Sequence, residues 1–306
     1  MLTHHSLEID AVEHCNLRCS FCSHNAQHMT PADSQYSSEE IIRDITQLSK
    51  KFKFKVVRLV GGEPLLNKNL ANIASTIKSA AITDKLILVT NGLLLDTITA
   101  ELASSLDGIR VSVYPISEEK QEKINSSIQR LRAQFPNLEI ISNQINFFAK
   151  GHLIERNEDP SLVAQIFAEC YYREDGVNLF KGRIHRCFAA RKRYKLLQLH
   201  SRPLPEHDDS ISIDASAEDI DKFLKNTEPL LACQWCLGCS GKQVPHHQLQ
   251  PGELDYATLA DLDFAAGETY LSNLLLSWHR DRLSVVEKDA FFDPKLASKY
   301  FKQFKL

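Results

Sequence analysis

The 306-residue chain lacks a charge excess: 36 lysines and arginines against 39 acidic residues leave a formal net charge of -3. A bulk field this small steers no polyanion, so nucleic acid is not expected as a partner. No run of roughly 18 apolar residues occurs, which argues against a membrane-spanning helix. The opening MLTHHSLEIDAVEHC has no basic segment followed by a long apolar core, so no leader and no membrane partner are expected. Repeats and low-complexity stretches are missing too. These absences predict a cytoplasmic globular protein, where thiols stay reduced.

Against that background the chain is rich in cysteine. Eight thiols stand at 15, 19, 22, 170, 187, 233, 236 and 239, too few to staple a secreted chain of this length and clustered in a way that says metal before disulfide. Cys15, Cys19 and Cys22 share one loop. Three thiolates from one loop suit iron or zinc, and a cubane cluster held by three protein ligands would leave one iron open. Zinc completed by His14, His24 or His28 is the plain alternative.

The pattern around this loop is α/β. Residues 7–12 read as a first buried strand. A cap at Ser38 and apolar Ile41, Ile42, Ile45 and Leu48 then predict a helix. Further strands are expected at 56–60, 86–89, 109–114 and 138–145, with helices between them. Parallel sheets built this way carry their ligands at the strand tops. Those tops hold the cysteine loop, Gly61-Gly62-Glu63, Asn91 and Ser112, with Asn143, Gln144 and Asn146 at the last.

After about residue 150 the pattern breaks. Residues 181–195 hold seven Lys or Arg and no acid, whereas 201–221 is acidic. Arg186, Arg191 and Arg193, with Lys192 and Lys195, are candidates to grip an anionic substrate; a solvated surface paired with the acidic stretch is the alternative. His185, His246 and His247 are candidate proton carriers. Arg156, Glu155 and Glu158 stand at the transition. Residues 254–286 read as helical.

The loop Cys15-x-x-x-Cys19-x-x-Cys22, with Phe21 before its last thiol, resembles that of the radical S-adenosylmethionine (SAM) superfamily, and Gly61-Gly62-Glu63-Pro64 resembles that family's second-strand motif. The resemblance implies a partial (β/α)6 TIM-type barrel with a 4Fe-4S cluster on Cys15, Cys19 and Cys22. It also implies S-adenosyl-L-methionine contacts from Gly61, Gly62, Glu63, Asn91, Ser112, Asn143 and Gln144. Cys170, Cys187, Cys233 and Cys236 resemble a shortened, twitch-type auxiliary module. Spacing and length are similar to the butirosin-pathway aminocyclitol dehydrogenase and to aminoglycoside epimerases.

That likeness implies two 4Fe-4S clusters and three regions: a barrel core over 1–155, an auxiliary domain over 156–248 and a helical extension over 249–306. It also implies oxidation of a secondary alcohol on a small polyhydroxylated molecule, an aminocyclitol, sugar or nucleotide sugar. A flavodoxin- or ferredoxin-type reductant would supply the electron. Cys239 is a fifth thiol for four positions, and Cys239, Arg156 and His246 are the catalytic candidates. Epimerisation through a cysteine hydrogen donor, peptide modification and a non-catalytic zinc module are the alternatives.

Overall fold

The computed structural model describes residues 1–202 and 209–270. Of the 254–286 stretch expected to be helical, 254–258 is irregular and Leu259–Asp261 is a single 3-10 turn, while 271–286, with the expected core positions Leu271, Leu274 and Leu275 and with Trp278, and the end at 290–306 lie outside the described residues. The first half alternates strands and helices: β1 (Leu2–Val12), α1 (Ser38–Leu48), β2 (Phe52–Gly61), α2 (Leu70–Ser79), β3 (Thr83–Thr90), α3 (Ala100–Ser105), β4 (Gly108–Val113), α4 (Glu118–Gln134) and β5 (Glu139–Gln144). Every neighbouring pair from β1 to β5 is parallel. The cap of α1 falls one residue before the expected Ser38. Ser37 Oγ accepts the Glu40 N–H at 3.2 Å while Glu40 accepts the Ser37 N–H at 2.9 Å, and only Ser37 has Glu40 three residues on.

Beyond β5 come β6 (Phe147–Ala149), α5 (Pro160–Glu169), α6 (Tyr172–Asp175), β7 (Asn178–Phe180), β8 (Arg183–His185), α7 (Phe188–Leu199), β9 (Ser210–Ser212), α8 (Ala217–Leu224) and β10 (Gln243–Pro245). The sheet runs β5-β4-β3-β2-β1-β7-β8-β9, while β10 pairs with β6 separately. β7 lies parallel to β1. The sixth parallel strand of this partial TIM-type barrel therefore comes from beyond residue 150 and docks beside β1; residues 7–150 supply five of the six expected strands and four of their helices.

Alternation on β1 explains the layers. Leu7, Ile9 and Ala11 join Ile41, Ile45 and Leu48 of α1 in the main core, each large side chain contributing roughly 1.5–3 kcal/mol by burial. The opposite face carries buried Ser6 and Asp10 with half-buried Glu8 between them, and its partners come from the second half. Asp10 pairs with Arg191 at 2.6 Å and Lys192 at 2.7 Å, and Asp175 binds Ser6, Arg58 and Tyr171. Lys192 and Arg191 hold Asp10 well below the usual carboxylate range against its burial.

Glu8 fares differently. Burial pushes its carboxyl up to about 8, with Arg58 opposing, and its Oε2 has no hydrogen-bond partner among the described residues. An acid whose folded pKa is raised keeps its proton after the unfolded chain has released it. Its contribution is complete below about pH 4.5 and is lost as pH rises through about 8. Glu8→Gln is expected to flatten the fall in urea midpoint between about pH 5 and 8; parallel wild-type and variant profiles would contradict this.

Candidate active site

The loop after β1 places Cys15, Cys19 and Cys22 at the C-terminal end of the sheet. Phe21 sits there with φ +54, a left-handed conformation that a non-glycine residue keeps only when its surroundings hold it. Asp255 does so: its carboxylate accepts the Phe21 N–H, the Gln27 side chain at 3.2 Å and His28 Nε2 at 2.7 Å. Burial opposes ionisation of Asp255, but the His28 and Phe21 bonds outweigh it and keep its pKa below the ordinary value.

The thiols receive N–H donors. Leu17 N–H reaches Cys15 Sγ at 3.4 Å, Asn91 Nδ2 reaches it at 3.6 Å, and Gln248 Nε2 reaches Cys19 Sγ at 3.3 Å. Burial pushes the Cys15 thiol up to about 12 and raises Cys19 and Cys22 as well. Iron would have to displace those protons, after which the N–H groups point at charged sulfur. The donor set therefore fits a thiolate-bound cluster. Among the described residues no three Cys, His, Asp or Glu side chains converge closely enough to hold a single ion. The imidazoles of the zinc alternative are engaged elsewhere: His14 Nδ1 with Ser34 at 2.8 Å, His28 with Asp255, and His24 stacked on Phe188 with Nδ1 facing Asp10 at 3.7 Å.

Gly61 and Gly62 bring the end of β2 against the loop. Gly61 has φ +136, and a Cβ at Gly62 would lie 2.0 Å from the His14 carbonyl oxygen. Glu63, expected among the S-adenosylmethionine contacts, is fully buried and engaged with its neighbours. It accepts Thr90 Oγ1 at 2.7 Å, Leu65 N–H at 3.1 Å and Asn91 N–H at 2.8 Å. Burial pushes its pKa up to about 7 against those three bonds. Asn91, fixed this way, donates to Asn16 Oδ1 at 2.7 Å, so Glu63 acts as a support behind the loop.

A cavity of about 670 Å³ opens between the loop, through Phe21 and Ser23, and the second cysteine set. Ser112, Asn143 and Gln144 line it from the strand ends. Asn143 Oδ1 is buried without a partner among the described residues. Gln144 donates to Asn146 at 3.2 Å. The sequence reading missed Tyr114, also on the wall, although it stands two residues after Ser112 and so on the same strand face. Burial and the three loop cysteines raise its pKa, and it stacks on His246 with centroids 5.1 Å apart. His246 itself stands behind that ring and is not on the cavity wall.

Cys170, Cys187, Cys233, Cys236 and Cys239 all reach the same cavity. The β7–β8 hairpin lies between Cys170 and Cys187. Cys233 feels the charges of Cys236, Cys187 and Cys170, and Cys236 accepts the Gly238 N–H at 3.1 Å. Cys239 is hydrogen-bonded to Cys170 and faces Tyr172 and Tyr270, whose hydroxyls are 3.3 Å apart.

The basic run is turned inward. Arg191 is not on the cavity wall: it pairs with Asp10 and Glu13 at 2.6 Å each and lies 3.7 Å above the Phe180 ring. Lys192 is on Asp10, and Lys195 is 2.5 Å from Asp33. This corrects both sequence readings for these residues, since their partners are in β1 and the loop that follows it, neither a substrate nor the 201–221 stretch. Arg186 and Arg193 do line the cavity. Arg186 donates to the Glu228 carbonyl at 3.1 Å. Arg193 donates to the Ala232 carbonyl at 2.5 Å, and its Nε has no partner among the described residues. Arg156 is half-exposed on Gln234 and Glu158, away from the cavity, which removes the geometric basis for a catalytic role.

Residues 11–148 match the family model of the Radical SAM superfamily. These residues, a little under half of the chain, are similar to a radical SAM domain. The probable GTP 3',8-cyclase of Methanocaldococcus jannaschii is 37% identical over 120 residues, 39% of this chain and 39% of that protein. The GTP 3',8-cyclase of Aquifex aeolicus is 33% identical over 126 residues, 40% of this chain and 39% of that protein. The chain thus spans about two-fifths of these curated relatives. Among solved structures, BtrN in complex with AdoMet and 2-DOIA is 14% identical with a TM-score of 0.44, covering 73% of this chain and 82% of BtrN. Histidine-tagged anSMEcpe with bound AdoMet is 11% identical with a TM-score of 0.42 over 99% of each chain. A radical SAM domain implies S-adenosylmethionine and one 4Fe-4S cluster, which Cys15, Cys19 and Cys22 would hold. No helix among the described residues is long and apolar enough to cross a membrane.

Proposed function

We propose that Cys170, Cys187, Cys233 and Cys236 hold a second 4Fe-4S cluster, and that the enzyme oxidises a secondary alcohol of a small polyhydroxylated, anionic molecule. One observation carries this reading: a single cavity touches both the first cysteine loop and the second cysteine set. When bound, S-adenosylmethionine and the first cluster, which Cys15, Cys19 and Cys22 would hold, would supply the one-electron chemistry that removes a hydrogen atom from the substrate. The alcohol then has one electron and one proton left to lose, and a cluster fully ligated by protein is suited to accept the electron. The proton leaves to solvent, and a flavodoxin- or ferredoxin-type protein supplies the electron that starts the reaction.

This chain's own residues bind and orient. The wall carries Arg173, Arg186 and Arg193 and, among the described residues, no Asp or Glu, which favours a phosphate or carboxylate on the substrate. Ser112 and Asn143 offer neutral hydrogen-bond groups to hydroxyls, and the apolar Phe148 and Phe167 help exclude water.

A second reading, radical cyclisation of a nucleoside triphosphate, is favoured by the same arginines and by the names of the cyclase relatives. Anaerobic turnover with polyhydroxylated and nucleotide substrates, following 5'-deoxyadenosine and product mass, separates the readings. Oxidation predicts the loss of two hydrogens. Cyclisation predicts unchanged mass from the nucleotide, and epimerisation predicts unchanged mass with one solvent-derived hydrogen through Cys239. Deoxyadenosine stimulated only by peptides would favour peptide modification. Stoichiometric zinc without SAM cleavage would overturn the enzyme reading altogether.

A further inference from the structure

A segment from the far end of the described chain clasps the first cysteine loop. Cys19 and Gln248 form an antiparallel bridge, with the Leu249 N–H on the Arg18 carbonyl at 2.8 Å and the Ser20 N–H on the His247 carbonyl at 2.9 Å. Within this clasp the Gln248 amide is oriented without ambiguity. The Arg18 backbone N–H can only donate, and it meets Gln248 Oε1 at 2.7 Å. Nε2 must therefore be the end that faces Cys19 Sγ at 3.3 Å. Its remaining N–H lies 3.1 Å from His246 Nε2, and that ring is stacked on Tyr114. Both N–H groups and the oxygen of the amide are thus engaged, and one donor is aimed at sulfur.

We infer that Gln248 is a positioning residue that sets the reduction potential of the cluster on Cys15, Cys19 and Cys22. An N–H donated to a ligating sulfur withdraws charge from it, which stabilises the more negative, reduced state and raises the potential. The donor comes from a segment that begins only a few residues after Cys239, so the module carrying the second cysteine set would tune the first. The inference rests on the four-iron reading of the loop, which iron analysis of the wild type tests separately.

The experiment is an EPR-monitored redox titration of the anaerobically reconstituted full chain. Gln248→Met keeps the side chain's length and removes the donor; Gln248→Glu keeps the acceptor for the Arg18 N–H and replaces the donor with charge. The expected order of first-cluster potentials is wild type highest, Gln248→Met lower and Gln248→Glu lowest, with the second site's iron content unchanged. Iron-loaded variants at the wild-type potential would overturn the inference. So would failure of both variants to retain first-site iron, which would make Gln248 a mechanical clasp alone. A wild-type loop that takes up no iron would remove the four-iron reading and this inference together.

Discussion

Gly62→Ala is expected to leave the first cysteine loop without iron and to lower stability by roughly 3 kcal/mol. The added Cβ would lie 2.0 Å from the His14 oxygen, 2.3 Å from its carbonyl carbon and 2.8 Å from the Cys15 nitrogen. All three are backbone atoms, so no flexible side chain can swing aside. The same strand ends are joined by the Gly62 N–H on the Val12 carbonyl and the Glu63 N–H on the His14 carbonyl, each at 3.0 Å. Relieving the clash breaks these bonds and moves Cys15. Gly252 is the control: its φ is +83, yet a Cβ there meets nothing within 4 Å. Gly252→Ala should cost about 1 kcal/mol of backbone strain and keep its iron. Iron per chain and urea midpoint decide the matter, and a Gly62→Ala protein that loads like wild type would show that the strand ends can separate freely.

Cys236→Ala is expected to remove about four irons, whereas Cys239→Ala should retain them. Cys236 sits where Cys170 and Cys233 reach it electrostatically, beside the Arg193 guanidinium, and it accepts the Gly238 N–H. After the turn at Gly238, with φ +58, Cys239 lies against Cys170 and the Tyr172–Tyr270 pair. A thiol there is placed to face the cavity as a hydrogen donor. Iron content separates the two cysteines from each other, and product mass separates oxidation from epimerisation: if Cys239→Ala keeps its iron and still oxidises substrate, the thiol is not required. Iron lost from Cys239→Ala and kept in Cys236→Ala would reverse the ligand assignment.

The five strands of the first half were readable because buried parallel strands are short apolar runs at regular spacing. What stayed hidden was long-range. Nothing local to Asn178 says that β7 will lie beside β1. The charges of Arg191 and Lys192 look like a patch until Asp10, buried on the same strand's far face, is seen to need them. Asp255 and Gln248 contact the loop across more than two hundred residues of sequence, and no period or spacing rule selects either. The cysteines were easy to find for the opposite reason, since their chemistry is uncommon enough to stand out without any neighbour.

The docking of β7 beside β1 sets an order on synthesis. β1 leaves the ribosome first, but its outer edge and the Asp10 carboxylate wait for Asn178–Phe180 and for Arg191 and Lys192. At typical elongation rates that interval is roughly 10 to 40 seconds, during which an unpaired strand edge is open to other chains. Any fragment that stops short of α7 keeps that exposed edge and that stranded charge permanently. The chain's slowest and most aggregation-exposed step is therefore expected to be this closure, made between its first strand and a hairpin from its second half.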